Sequence, residues 1–204
     1  MRLEPFTLTG THVQLVPLTH ALAPALLQAA TRDHSTFGHT AVPQTPDSMA
    51  AYIDGLLADA ARDTAVPFAQ VRVADGQPVG CTRFMNVVWW GGRDTPVEVE
   101  IGGTWLATDA QRSPINTEAK LLLLRQAFEQ WGVYRVAICT DARNERSRTA
   151  IERIGGRLEG ILRNHRPSMG HLVTVGTPRD TAAYSIIDSE WPDVRARLEA
   201  MLRG

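Results

Sequence analysis

The amino-acid sequence predicts one domain of the mixed α/β (α+β) class over residues 1–204, with helices packed on a single mixed sheet. The first observation is size: 204 residues, 44% of them apolar, suit one globular domain with a sizeable core. The second is the alternation of strand-like and helix-like periodicities along the chain. The third is that only two cysteines occur, Cys81 and Cys139, too few for a disulfide framework and without zinc-ligand spacing. We expect both to be buried free thiols.

The first half of the chain predicts strands and two helices. Apolar and polar residues alternate in the strand segments, and apolar residues recur at helical spacing in the helices. The dipeptide Asp75-Gly76 is typical of a hairpin turn between two strands. We therefore expect strands at 11–16, 68–74 and 79–88, and helices at 20–30 and 47–61.

The second half predicts strands and helices that alternate. Ser113 and Pro114 are typical of a helix N-cap and of the first helical residue, and Gly155-Gly156 is typical of a helix end. We expect strands at 97–107, 134–140, 157–163 and 181–187, helices at 114–131, 144–154 and 191–202, and an extended loop at 164–180.

The strand at 97–107 carries two carboxylates, because period two places Glu98 and Glu100 on one face. Its other face is apolar: Val97, Val99, Ile101 and Trp105. The mid-strand pair Gly102-Gly103 predicts a bulge or a close approach to the backbone. A carboxylate on a central strand can act as a general base when burial raises its pKa, and Glu100, beside the glycines, is the better candidate. A solvated sheet face or a salt bridge is the alternative.

The start of the helix at residue 114 is a candidate anion site. A strand that feeds a helix N-terminus through a short loop presents unpartnered N–H groups and the positive end of the helix dipole. A phosphate or pyrophosphate would suit this point, which is surrounded by Gln111, Arg112, Ser113, Asn116 and Thr117. The alternative is an ordinary capped helix that binds only water, and the residues by themselves favour it.

A third candidate site lies at the next helix start, residues 141–147. Ser147 shares one helix face with the apolar residues that follow it, so the sequence predicts that it points toward the sheet from the first turn. That face comprises Ser147, Ala150, Ile151 and Ile154. The alternative is structural, with Asn144 as an ordinary helix cap and Ser147 as a small residue at the edge of the core.

Charge and motifs exclude several classes of protein. A net charge of -1 argues against broad nucleic-acid or anionic-membrane binding. No segment has the apolar length to cross a bilayer, and residues 1–5 lack the apolar core of a signal peptide, so we expect a cytoplasmic protein. Nucleotide P-loop, dinucleotide and Gly-x-Ser-x-Gly motifs are not found in the sequence. Four loop histidines lack metal-ligand spacing, so we expect no metal site: His34, His39, His165 and His171.

Three stretches taken together resemble the GCN5-related N-acetyltransferases (GNAT). They are residues 100–106 (EIGGTWL), 116–125 (NTEAKLLLLR) and 140–147 (TDARNERS), of which the last is the most specific. Within the family, the sequence resembles most the branch that includes the ribosomal-protein N-terminal acetyltransferases, and the tail at 188–192 (DSEWP) fits the same branch. The similarity covers nearly the whole chain.

The resemblance implies a splayed mixed sheet, acetyl-CoA as cosubstrate, an amine acceptor and a possible homodimer. It implies that the pantetheine arm pairs with residues 103–107, contacting the backbone of Trp105, Leu106 and Ala107. It implies that the pyrophosphate sits at the following helix start: Gln111, Arg112, Ser113, Ile115, Asn116 and Thr117. By the same resemblance, Asn144 contacts the pantetheine and Ser147 lies near the thioester sulfur.

One stretch departs from the family. Where its pyrophosphate loop usually has Gln/Arg-x-x-Gly-x-Gly/Ala, residues 111–116 read QRSPIN, with Pro114 and Asn116 at the two small positions. Proline removes one N–H donor, although the first helical position needs none, so we expect cofactor binding of altered strength or shape. The alternatives are a non-catalytic acyl-CoA-binding regulatory module and an unrelated nucleotide-binding domain.

The expected mechanism is direct acetyl transfer. Glu100, directly or through a water, takes the proton of the amine, which then attacks the thioester. A backbone N–H near Trp105 or Leu106 stabilises the oxyanion, and Ser147 protonates or hydrogen-bonds the departing thiolate. The acceptor is a protein N-terminus or a small amine, and two glutamates near the cleft suggest a cationic one.

Overall fold

The computed structural model describes residues 3–203, so the part of the N-terminal expectation that falls on Met1 and Arg2 lies outside the described residues. Eight strands form one open sheet: β1 (Leu8–Thr9), β2 (Val13–Pro17), β3 (Ala65–Arg72), β4 (Pro78–Val88), β5 (Glu98–Leu106), β6 (Arg135–Asp141), β7 (Arg157–Pro167) and β8 (Pro178–Ile187). Their order across the sheet is β1-β2-β3-β4-β5-β6-β8-β7. In residues 3–203, β5 and β6 are parallel and every other neighbouring pair is antiparallel.

Five α-helices flank the sheet: α1 (Ala23–Thr31), α2 (Pro46–Ala61), α3 (Pro114–Arg125), α4 (Glu145–Arg153) and α5 (Trp191–Arg203). Ser113 caps α3 and Pro114 is its first residue, as predicted. Asn144 caps α4 by accepting a hydrogen bond from the Ser147 N–H at 3.1 Å, as the structural alternative for this residue expected. A mixed sheet flanked by helices confirms the predicted fold class. None of the helices in residues 3–203 is long and apolar enough to cross a membrane.

The extended loop predicted at 164–180 is wrong. Strand β7 continues to Pro167 and β8 begins at Pro178, with Arg166 opposite Arg179, so the connection shrinks to residues 168–177. Pro167 and Pro178 were interpreted as loop residues, but they occupy strand ends, where the missing N–H is tolerated. The helix predicted at 114–131 also changes character, since α3 passes into a π-helical turn at Gln126–Gln130.

Two apolar clusters lie on opposite faces of the sheet. One packs β-strand residues such as Val99 and Ile101 against α3, α4 and α5, and the other packs Trp105 against α1 and α2. The prediction that Trp105 shares a face with Val99 and Ile101 is therefore wrong. In β5, Trp105 pairs with Cys81 and Gly102 pairs with Arg83, which leaves one extra residue in β5. This bulge inverts the alternation of side chains, so Leu106 faces α3 instead.

The bulge needs a glycine. Gly103 has a φ of +57°, in the left-handed region that favours glycine, and a methyl group at this position would collide with the Arg83 guanidinium. The bulge or close approach predicted from Gly102-Gly103 is thus confirmed as a bulge in β5.

A buried glutamate joins α3 to the first strands. Glu118 is 6% exposed and accepts hydrogen bonds from the N–H groups of Thr11, His12 and Val13 at 2.8, 2.6 and 2.9 Å. Gly10 provides the room, because a Cβ there would overlap the carboxylate. The glutamate therefore fixes the β1–β2 turn onto the helix whose first turn borders the candidate anion site.

We predict that Glu118→Ala lowers the free energy of unfolding by about 3 kcal/mol, because three buried N–H groups lose a charged acceptor. For a chain of this length that corresponds to a fall of roughly 6–12 °C in Tm. Urea denaturation and calorimetry measure both quantities. The exposed Glu4→Gln is the control and should leave Tm unchanged. A fall in Glu118→Ala no larger than in the control would contradict the role given to this carboxylate.

Candidate active site

A cleft opens where β5 and β6 diverge. The two strands pair at only three positions, Glu98 with Arg135, Val99 with Val136 and Glu100 with Ala137. Beyond them, residues 101–106 of β5 and 138–141 of β6 have no pairing with each other, and the N-termini of α3 and α4 follow these two strands. Such a cleft exposes strand-edge N–H and C=O groups, which an extended ligand can satisfy.

The predicted residues at the end of β5 have buried side chains and partly engaged backbone groups, since the Ala107 N–H donates to the Val79 carbonyl at 2.7 Å and the Trp105 carbonyl accepts from Gln70 Nε2 at 3.2 Å. Trp105, Leu106 and Ala107 are 3%, 7% and 1% exposed, because their side chains pack in the two apolar clusters. The Trp105 Nε1–H donates to the Tyr52 hydroxyl at 3.3 Å, and the Leu106 carbonyl accepts from Gln111 Nε2 at 2.8 Å. A ligand in the cleft would therefore meet main chain and not side chains here, at backbone groups other than these three.

The loop that leads into α3 is held from three directions by Gln111. Its amide donates to the Leu106 carbonyl and, at 3.1 Å, to Thr36 Oγ1, while its oxygen accepts from Arg146 of α4. Arg112 follows with a φ of +58° and an exposed side chain. A non-glycine residue in the left-handed region is uncommon and occurs preferentially near functional sites.

The first turn of α3 divides its residues between core and surface. Ser113 Oγ accepts from the Ile115 N–H at 3.4 Å, and the Ile115 side chain is buried in the core. Asn116 is half-buried, whereas Thr117 is buried. The structure therefore brings together at the helix start the Asn116 side chain and the backbone N–H groups of residues 115–117, of which that of Ile115 already donates to Ser113 Oγ. This end of α3 carries the positive pole of its dipole.

Two arginines of α4 complete this helix start, and the sequence analysis missed both. Arg146 donates to Gln111, and Arg153 contacts Thr117 Oγ1 at 3.5 Å through both terminal nitrogens. They are seven residues apart, two helical turns, so they share one face of α4. That spacing was the signal available in the sequence. With Arg112 they surround the α3 N-terminus with three cations, an arrangement suited to phosphate groups.

The first turn of α4 places two predicted residues beside the open part of β6. Asn144 Oδ1 is engaged in capping, and Ser147 is half-buried. Ser147 Oγ makes no hydrogen bond with any residue in the range 3–203. It is thus available to a ligand, while the Ser147 N–H is not.

Glu100 is buried at the point where the strands separate, 4% exposed, and both of its oxygens are engaged. Arg166 of β7 donates to Oε1 at 2.8 Å and to Oε2 at 2.6 Å, and Asn86 of β4 donates to Oε2 at 2.7 Å. The bidentate contact raises the pKa of the Arg166 guanidinium. Of the two alternatives for this carboxylate, the salt bridge describes its state without ligand.

Glu98 is also paired, with Arg135 at 3.7 Å, and Arg135 in turn contacts Glu159 of β7. Glu100 is therefore neutralised by Arg166, whereas Glu98 shares the single charge of Arg135 with Glu159. The glutamate at the cleft thus offers no unpaired negative charge, which weakens the observation that favoured a cationic acceptor.

The two cysteines are free, but only Cys81 is buried, whereas Cys139 of β6 is half-buried. Burial raises the pKa of the Cys81 thiol to about 12 and that of Cys139 to about 11. Neither is a thiolate at neutral pH, so neither is activated as a nucleophile.

Lys120 of α3 lies under the β5 bulge and is the only lysine in the sequence. It is 6% exposed, and its Nζ donates to Thr104 Oγ1 at 2.9 Å, which is 2.8 Å from Thr82 Oγ1. Burial lowers the pKa of Lys120 to about 7. Lys120 stands in a run of helix-forming residues, and nothing in that run predicted that its amine would be buried.

The fold and cleft agree with the comparisons to known proteins. Residues 12–157 match the family model described as an acetyltransferase (GNAT) domain. Because this match covers more than half of the chain, the chain belongs to the GNAT acetyltransferase family. It is 34% identical to a T. thermophilus protein of known structure assigned as an acetyltransferase, over 99% of this chain and 100% of that one, with a TM-score of 0.81.

One further relative bears on the branch of the family, and a solved structure bears on the fold alone. YdaF of Bacillus subtilis (strain 168), assigned as a ribosomal N-acetyltransferase, is 37% identical over 89 residues, or 44% of this chain. The match spans 45% of that curated relative, less than half of its length. Mycobacterium smegmatis RimJ, whose structure contains CoA-disulfide, shares the fold with a TM-score of 0.77 at 23% identity, over 97% of this chain and 95% of that one.

We predict that Lys120 makes stability depend on pH. Its pKa is lower in the folded state than in the unfolded state, so unfolding takes up a proton at neutral pH and the free energy of unfolding rises as the pH rises. Relative to Lys120→Met, the wild type should gain on the order of 2 kcal/mol between pH 6 and pH 9. Urea denaturation of both proteins across that range measures the difference. Parallel curves for the two proteins would contradict the assigned pKa.

Proposed function

We propose that this protein is an acetyl-CoA-dependent N-acetyltransferase that transfers the acetyl group to an amine by direct attack within a ternary complex. One observation carries the proposal. The cleft between β5 and β6 leads from strand-edge backbone groups to a helix N-terminus surrounded by Arg112, Arg146 and Arg153. A ligand with an extended amide arm and a polyphosphate end matches that sequence of groups, and membership of the GNAT family supports the same ligand.

The donor set fits the cofactor in spite of the altered loop. Pro114 occupies the first helical position, where the missing N–H leaves no intrahelical bond unmade. The residues that would hold the pyrophosphate are Gln111, Arg112, Ser113, Ile115, Asn116 and Thr117, through side chains at the surface and through backbone N–H groups for the buried ones. Arg146 and Arg153 add two cations at this end, which offsets the lost N–H donor.

The pantetheine arm of the cofactor would be held by backbone groups of β5 and by Asn144. The pantetheine arm would pair with the β5 main chain at Trp105, Leu106 and Ala107, in the place of a neighbouring strand. Asn144 retains a free amide nitrogen for the arm, because only its oxygen is used in capping. Acetyl-CoA supplies the activated acetyl group when bound, and this chain supplies orientation, charge and proton transfer.

Two side chains take part in the proposed acetyl transfer. Glu100 takes the proton of the attacking amine, and a bridging water relays it, because Arg166 and Asn86 already contact both carboxylate oxygens. Ser147, with a free hydroxyl on the first turn of α4, hydrogen-bonds the departing thiolate. A backbone N–H near Trp105 or Leu106 stabilises the oxyanion. For the acceptor we propose a protein N-terminus or a small amine, the former supported by the similarity to YdaF.

The first test is cofactor binding. We expect free CoA at a hundred times its Kd to raise the free energy of unfolding by about 2.7 kcal/mol, or Tm by roughly 5–10 °C. The double variant Arg146→Gln/Arg153→Gln should weaken CoA binding by roughly 100-fold or more, since two charge-assisted contacts to phosphate are lost. Calorimetric titration measures both proteins, with Arg62→Gln, an exposed arginine paired with Asp59, as the matched control. A rise in Tm with ATP or NADH and none with CoA would overturn the proposal.

Kinetics separate an enzyme from a binding module. We expect Glu100→Gln to lower kcat by roughly 100-fold or more, because general-base catalysis contributes about 10²–10⁴. Ser147→Ala should lower kcat by a smaller factor, about tenfold, and both variants should bind CoA as the wild type does. CoA release in the presence of an amine panel measures the rates. Tight CoA binding by the wild type without transfer to any amine would favour the non-catalytic acyl-CoA-binding module instead.

A further inference from the structure

The side of the cleft that faces α1 and α2 carries more arginines than carboxylates. Side chains of β4 alternate there, with Cys81 packed toward α1 and α2 and Phe84 packed toward α3, so Arg83 faces the same side as Cys81. Glu100, Cys139 and Asp141 also share this side, because Glu100 pairs with Ala137 and β6 alternates from there.

Two of the arginines neutralise the two carboxylates. Arg166 binds Glu100 in the bidentate contact described above. Arg143 binds Asp141 through Nε at 2.9 Å and Nη2 at 2.7 Å, and this contact lowers the pKa of Asp141. His39 lies 3.9 Å from the same carboxylate, and Arg179 acts on it at longer range, since the Arg179 charge also lowers the pKa of Asp141. Both negative charges are therefore committed to these partners.

The other two arginines have no such partner. Across residues 3–203, Arg83 makes neither an ion pair nor a side-chain hydrogen bond, and its guanidinium lies against Gly103 at the β5 bulge. Arg179 of β8, opposite Arg166 in the sheet, donates only to the Pro167 carbonyl, at 3.2 Å. Its Nη1 is buried without a hydrogen-bond partner, and burial lowers the pKa of this guanidinium.

Asp141, already bound to Arg143, acts on Arg179 only at longer range, and a partly desolvated guanidinium with a buried N–H that has no acceptor is unfavourable, because this N–H has lost water and gained no partner. Arg83 belongs to β4 and Arg179 to β8, the strands that lie next to β5 and β6 on the two outer sides of the cleft. The cleft entrance thus has donors for an oxyanion on both sides of the point where the proposed amine must react.

We propose that the acceptor is an amine that also carries an oxyanion, a carboxylate or a phosphate, which Arg83 and Arg179 bind on the α1–α2 side of the cleft. The inference rests on the proposed function, because it assigns the charge of the acceptor used by the same site. It replaces the cationic acceptor expected from Glu98 and Glu100.

The test uses three matched pairs of amines that differ in the anion alone. They are β-alanine with β-alaninamide, O-phosphoethanolamine with ethanolamine, and the C-terminally amidated peptides Ser-Glu-Glu and Ser-Gln-Gln. We expect the wild type to acetylate the anionic member of at least one pair with a kcat/KM roughly 10- to 100-fold above its neutral partner, the range for a hydrogen bond to a charged group. The pair in which the anionic amine is preferred shows whether the site binds a carboxylate or a phosphate.

The variants test which residues carry this preference. Arg83→Gln and Arg179→Gln should each reduce the anionic preference roughly tenfold through KM, with the rate on the neutral amine and CoA affinity unchanged. Arg83→Lys and Arg179→Lys should recover part of it, and Arg62→Gln should change nothing. Since Arg179 also contacts Pro167, Tm of each variant is measured in parallel to separate misfolding from lost binding.

The possible failures are distinguishable. Equal or faster transfer to the neutral members, or to putrescine as a cationic amine, would overturn this inference and leave the proposed function standing. Transfer to none of these amines would overturn both. A preference for anions that survives in both glutamine variants would also overturn the assignment to Arg83 and Arg179.

Discussion

The arrangement of the site depends on one constraint, that β5 and β6 run parallel for three residue pairs and then separate. A sheet interrupted in its middle leaves main-chain donors and acceptors without partners on both inner edges, which is unfavourable unless a ligand or water takes them. The bulge at Gly103 lies on the edge of this opening and inverts the side-chain alternation of β5. Aromatic packing by Trp105 and the polar contact between Thr104 and Lys120 are consequences of that inversion.

Three irregular strand positions converge on the same opening. Besides Gly103, the extra residues of β4 and β7 include Asn86 and Asn164, each with a φ of +49°. Asparagine tolerates the left-handed region better than most residues, so these bulges need no glycine. They allow Asn86 to reach Glu100 directly and bring Arg166 to the same carboxylate. Backbone irregularity here positions polar side chains that regular strands would direct elsewhere.

The helices and strands that carry the site were predictable from local sequence, whereas the long-range contacts of the site were not. Capping residues and apolar periodicity predicted α3, α4 and the strand that contains Glu100, because those signals act over a few residues. The partner of Glu100 lies 66 residues away in the chain, in a segment whose prolines indicated a loop. The side of the sheet on which Trp105 packs depended on a one-residue bulge, and the alternation of apolar and polar residues does not predict such a bulge. The cationic surroundings of α3 came from arginines of a different helix.

The single lysine, Lys120, also bears on the chemical resistance of the protein. Thioesters acylate neutral amines without an enzyme, and a lysine with a pKa of about 7 is far more often neutral than an ordinary one. Burial among α3, Thr104 and Thr82 keeps this amine out of contact with solution. All other basic side chains apart from histidine are arginines, which do not react in this way. A protein that works in contact with activated acyl groups therefore presents them with no lysine amine until it unfolds.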